Sequence, residues 1–207
     1  MTEGKMIASL DISTRTGWCC GRVGANAQPA GGVWTLGKMK DADGHLQLGM
    51  LNSSLMSSVQ DMIAEFMPDL VVFEAPISRA QTTDRMLKYL CGAVETVCYE
   101  MGVMCREVSS FDARKLIIGR GSFQKPFKGA GVEKWRGQRG KGNKIDPKLP
   151  KVRTLVGDAK QEVAIYMQSI GWAGEDDNHL DALLLWRYAS LLSRGRITAG
   201  NASLGVM

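Results

Sequence analysis

The sequence has no apolar run approaching the ~18 residues that a membrane-spanning helix requires. Its start, MTEGKMIASLDIS, lacks a long apolar core followed by a small-residue cleavage site, so it reads as the beginning of the fold and not as a secretory leader. No membrane partner and a cytoplasmic location are therefore expected, the host cytoplasm for a chain of phage type. There is also no CxxC pair. Five cysteines, an odd number, lie inside apolar patterns at 19, 20, 91, 98 and 105, which predicts buried, reduced thiols and no disulfide framework. No internal repeat is present.

What is there is an ordinary globular composition, 44% hydrophobic and 23% charged over 207 residues. That length suits one domain, expected over residues 1–195 with a frayed tail over 196–207. The net charge of +5 is unevenly spread: residues 119–151 hold ten Lys/Arg against two acids, leaving 16 basic and 19 acidic groups elsewhere. A local excess of positive charge points to a polyanion, because neutralising phosphates releases their condensed counterions.

Three short apolar or β-branched stretches at 6–13, 17–23 and 31–39, separated by Gly, Asn and Thr turn signals, predict a meander of three strands. Apolar spacing predicts a helix over 51–67, stopped by Pro68, and a second over 83–101 with Met86, Leu87, Leu90, Val94, Val97 and Met101 facing inward. Further strands are expected at 69–76 and 103–109, and a Ser-capped helix follows in SSFDARKLIIG. Residues 119–151, with seven glycines and three prolines, read as a long loop or insertion. Helical periodicity resumes over 152–170, and a last helix is expected over 178–193. The resulting fold class is α/β: a five-stranded mixed sheet with helices on both faces.

Two acids fall within the apolar strands, Asp11 in SLDIS and Glu74 in VVFEAP. A carboxylate in such a setting is costly unless paired or bound to metal. Neither strand offers an obvious cation, although an acid at a strand end can simply meet solvent. Asp181 is expected on the inward side of the last helix. Three carboxylates from three elements could converge on hard divalent cations such as Mg²⁺, the arrangement suited to phosphodiester hydrolysis.

The ordered set ASLDISTRTGW, LVVFEAP and DNHLDALLLWRYA resembles the three acidic motifs of the RuvC-type Holliday junction resolvases of the RNase H-like superfamily, over roughly residues 6–193. The resemblance implies a homodimeric endonuclease that uses Mg²⁺ or Mn²⁺ to nick four-way DNA junctions, and it carries Asp11, Glu74 and Asp181 over as catalytic metal ligands. Where the family places a further Asp or His, three residues before the final Asp, this chain has Asn178. Asp177, one position earlier, is the expected fourth ligand, with an N-cap role as the other explanation. The family's wedging aromatic, three residues after the second-motif acid, is here Ile77.

Within the basic segment, Trp135 is available to stack on a base, and Arg136, Arg139, Lys141 and Lys144 are expected on phosphates, together with Arg79 beyond the second motif. Three other readings stay open. One is a less selective RNase H-like nuclease acting on forks, flaps or hybrids, and another is a junction-binding protein with a degenerate site. LDISTRTGW also resembles the first phosphate-binding turn of sugar kinases and actin-like ATPases, but those need a second domain and a second Gly-rich loop.

Overall fold

The computed structural model describes residues 4–25, 27–45, 47–76, 81–119, 132–136, 152–156 and 159–194. The meander forms as expected, as β1 (Met6–Asp11), β2 (Arg15–Arg22) and β3 (Ala30–Thr35), followed by α1 (Leu48–Phe66). Then come β4 (Leu70–Glu74), α2 (Gln81–Glu100), β5 (Met104–Val108) and α3 (Ser110–Ile118). The chain closes with β6 (Val132–Arg136), β7 (Val152–Val156), α4 (Ala159–Ser169) and α5 (Asp177–Ser193). The first five strands make one sheet in the order β3-β2-β1-β4-β5. It is mixed: β1, β2 and β3 pair antiparallel, whereas β1 with β4 and β4 with β5 pair parallel.

Two expectations need correction. Residues 152–156, expected as the first turns of a helix, are a strand that pairs antiparallel with Val132–Arg136, and the helix begins only at Ala159. VRTLV places apolar residues at 152, 155 and 156, which fits a helix as well as a strand, and only the partner strand decides between them. Residues 119–151, expected as a long loop or insertion, contain β6, the partner of that strand.

The pleat sends alternate strand residues to opposite faces. Ala8, Leu10, Val71 and Phe73 enter a core with Leu51, Leu55 and Val59 of α1 and Leu90, Val94 and Val97 of α2. Ile7 and Val72 enter a second core with Ala113 of α3, Val163 and Met167 of α4 and Leu183 to Trp186 of α5. Each fully buried Val, Leu, Ile, Phe or Met among them contributes roughly 1.5–3 kcal/mol relative to exposure. α1 ends at Met67, which takes a left-handed conformation (φ 49°) and returns its N–H to the Ile63 carbonyl just before Pro68. Cys19, Cys20, Cys91 and Cys98 are buried as expected and free, while Cys105 is half-buried.

Candidate active site

Asp11 and Glu74 end β1 and β4, which run side by side. Their register pairs Leu10 with Phe73 and sends both toward α1 and α2, so the next residue of each strand turns to the opposite face. There the two carboxyls meet each other and Asp181 of α5. Burial, then the negative charges of Asp181 and Glu74, raise the Asp11 carboxyl well above its ordinary range. Burial also raises Asp181; the Arg114 guanidinium opposes the shift without reversing it.

The phase of α5 is set by contacts that the sequence does not advertise. The Ser9 hydroxyl donates to the Ala182 carbonyl at 2.7 Å, and Trp186 Nε1 donates to the Ile7 carbonyl at 2.9 Å. Both pin the helix to β1 and turn Asp181 toward the strand ends. At its start, α5 lies directly on glycine backbone. A methyl at Gly17 would collide with the Asn178 carbonyl, and one at Gly31 would come within 2.6 Å of His179 Nε2. Gly17 and Gly31, the first residues of two of the expected strands, lie inside β2 and β3 and permit close approach of a helix.

Asp176 is the N-cap of α5. Its carboxylate accepts from the N–H groups of Asn178 and His179 and pairs with Arg15 on β2 at 2.9 Å. Desolvation would raise its pKa, but the His179 N–H, the Arg15 guanidinium and the Asn178 N–H outweigh that and hold it low. His179 is 3% exposed and turned toward the meander, where its Nδ1 accepts from the Glu175 N–H.

The acids open onto a cavity of about 350 Å³ lined also by Asn178, Arg114 and Lys160. The absence of a cation on the two strands is made good from elsewhere in the fold. Arg114 of α3 lies 3.3 Å from Asp181, and both side chains are largely buried. Lys160 of α4 lies 2.9 Å from Asp177, its pKa raised by that hydrogen bond despite desolvation, with Asp177, Asp181 and Asp11 adding to the field. Sequence reasoning missed both basic residues because they sit on helices remote in the chain, with no motif of their own.

Asp177 does not join the cluster. Its side chain is 53% exposed, it is bound to Lys160 and it does not line the cavity, while its neighbour Asn178 does. It does not cap the helix either, since Asp176 has that role. Among the DNA-contact candidates, Trp135 and Arg136 lie on β6. Arg79, Arg139, Lys141 and Lys144 lie outside the described residues.

Among the described residues, one group of three potential metal donors has all its ligand atoms within 4.8 Å, namely Asp41, Asp43 and His45. It belongs to an exposed loop between β3 and α1, where the Asp41 carboxylate already accepts from the N–H groups of Asp43 and His45. The cluster at the strand ends is looser than this, with Asp181 drawn toward Arg114.

Neither protein-family models nor curated proteins match the sequence. Solved structures do. The Thermus thermophilus RuvC structure has a TM-score of 0.62 at 17% identity, over 92% of this chain and 96% of that one. T. thermophilus RuvC in complex with a Holliday junction substrate has a TM-score of 0.63 at 18% identity, with the same coverage. The yeast mitochondrial Holliday junction resolvase has a TM-score of 0.54 at 10% identity, over 91% of this chain and 80% of that one. Identities this low speak to architecture alone, and the architecture is continuous along both chains: this protein has the RNase H-like fold of the RuvC-type resolvases.

Proposed function

We propose that the protein is a metal-dependent endonuclease that hydrolyses phosphodiesters in branched DNA, four-way junctions above all. The observation that carries this reading is the meeting of Asp11, Glu74 and Asp181, from three separate elements, in one open cavity beside two cations. Buried like charges this close are unfavourable on their own, as the raised Asp11 carboxyl reflects. All the donors are hard oxygens, the set that suits Mg²⁺ or Mn²⁺. The same fold in a protein captured on a Holliday junction favours branched DNA as substrate.

Asp11, Glu74 and Asp181 would hold the metal, with the Asn178 amide at the cavity wall. Asp177 stays with Lys160. A divalent ion at this place supplies an acidified water and charge neutralisation on the phosphate. The chain's own groups do the remainder. Arg114, beside Asp181, and Lys160, beside Asp177, would pair with the phosphate oxygens and offset their charge. Trp135, Arg136, Arg139, Lys141, Lys144 and Arg79 bind flanking DNA, the cations acting on phosphates. We further propose that two copies act together on the two strands of a junction. In α2, Val97 and Cys98 are wholly buried, whereas Tyr89 and Tyr99 are 52% and 88% exposed and are available to a second copy. Among the described residues no helix is long and apolar enough to cross a membrane.

The test compares synthetic four-way junctions, forks and linear duplex with Mg²⁺, Mn²⁺ and chelator. Junction cleavage that needs the metal and exceeds duplex cleavage is expected. Equal cutting of all three substrates would replace the junction reading by a less selective nuclease, and binding without cleavage in any metal would leave a junction-binding protein.

A further inference from the structure

The lining of the cavity is mixed. It joins the acids, Asn178, Arg114, Lys160 and the hydroxyl residues Ser13 and Thr14 to an apolar wall of Ile12 after β1, Pro76 after β4 and Met86, Leu87 and Cys91 of α2. Leu87 and Cys91, four residues apart, share one helical face, with Met86 beside them. Thr83, a turn earlier on that face, adds a hydroxyl at the apolar side. A phosphate and its metal need oxygens and cations only. Ile12, Met86 and Cys91 belong to the core and show only their edges here (5–6% exposed), whereas Pro76 and Leu87 are half-buried and offer apolar surface to the cavity. Ligand sites that combine apolar surface with a few convergent polar groups fit ligands having both characters.

We propose that this wall is a nucleoside subsite: it receives the sugar and base of one nucleotide flanking the scissile phosphate, drawn out of the helical stack. The inference rests on the reading of the site as a DNA phosphodiesterase and adds a source of substrate choice. The group joined to a phosphate held at Asp11, Glu74 and Asp181 is a deoxyribose with its base, and one cavity is lined both by these acids and by α2. Extruding a base costs a few kcal/mol in regular duplex and least where pairing is already lost. A site that must seat an unstacked nucleoside therefore cuts branch points in preference to linear duplex, without reading the base's identity through a hydrogen-bond code.

The experiment uses Asp11→Asn protein, expected to bind junction without cutting it, and junctions carrying 2-aminopurine on either side of the bond that wild type cleaves. A several-fold rise in fluorescence at one of the two positions is expected, falling in the added Leu87→Ala variant and retained in Leu87→Met. In wild type, an abasic nucleotide at the same position lowers kcat/KM by about tenfold or more. In Leu87→Ala the same abasic change costs much less, because the contact is already gone. Silence at both positions on a bound junction, or abasic and Leu87 effects that simply multiply, overturns the subsite while leaving the nuclease reading intact. Failure of wild type to bind or cleave branched DNA overturns both, and the two results cannot be confused.

Discussion

The two faces of the central sheet come from the same strands and differ by one residue of phase. Toward α1 and α2, β1 and β4 present Ala8, Leu10, Val71 and Phe73, apolar to the ends of the strands. Toward α5 they present Ile7 and Val72, then buried Ser9, and finally Asp11 and Glu74. One face is a dry core along the strands, meeting the cavity only beyond their ends, at Ile12, Met86 and Cys91. The other grades along the strands from core to chemistry, so a single helix, α5, both closes the hydrophobic interior through Leu183 to Trp186 and delivers Asp181 to the cavity. A charged site stands at its edge, where α3 and α4 bring Arg114 and Lys160. The acid cluster and the hydrophobic core are thus separated by the pleat and not by distance along the chain.

Substitutions on the two faces should then behave oppositely. Asp11→Asn should lower metal-dependent cleavage on the order of 10³-fold while junction binding persists, read by single-turnover cleavage and gel shift. Phe73→Ala, nearly adjacent in sequence to Glu74 but on the dry face, should cost about 3–5 kcal/mol in chemical unfolding. Its folded fraction should still cleave. Retained stability in that variant would break the contrast between the faces.

Gly17→Ala joins the two behaviours, because the added methyl meets the Asn178 carbonyl and must displace the start of α5. Stability and cleavage should fall together, whereas Ser9→Ala, which loses one hydrogen bond to the Ala182 carbonyl, should cost only about 1 kcal/mol. The smallest effect is one of sign. Because the folded state raises Asp11 above its unfolded value, the folded protein binds more protons between those two values. Metal-free stability is therefore greater at the acidic end of that window and is lost as pH rises through it. Asp11→Asn should flatten this profile and stabilise the metal-free protein near neutrality by about 0.5–2 kcal/mol. Unfolding curves for both proteins across pH measure it, and a wild type that gains stability as pH rises through the window would show that the acids are paired instead of opposed.

The sheet, its meander and most of the helices were legible because their cores are apolar at strand or helix spacing. The strand Val152–Val156 was not, since a short apolar run acquires its type from a partner, here Val132–Arg136. Asp11, Glu74 and Asp181 stood out as acids in apolar settings. The fourth position, expected at Asp177, was not decided by spacing: both Asp177 and Asn178 lie within a turn of Asp181, and only in three dimensions does Asp177 pair with Lys160 while Asn178 lines the cavity. Arg114 and Lys160 carried no local signal, because a surface cation on an amphipathic helix looks the same whether or not an acid from another element waits beside it.

By itself, then, the sequence determined which strands alternate, where the helices bury their apolar stripes and that three acids would be stranded among apolar neighbours, since these follow from periodicity and the cost of buried charge. The tertiary structure decided which face each acid shares, which cations answer them and which of two adjacent residues reaches the cavity. Those outcomes depend on the register of β1 against β4 and on the seating of α5 over Gly17 and Gly31, relations between segments far apart in the chain that no local pattern encodes.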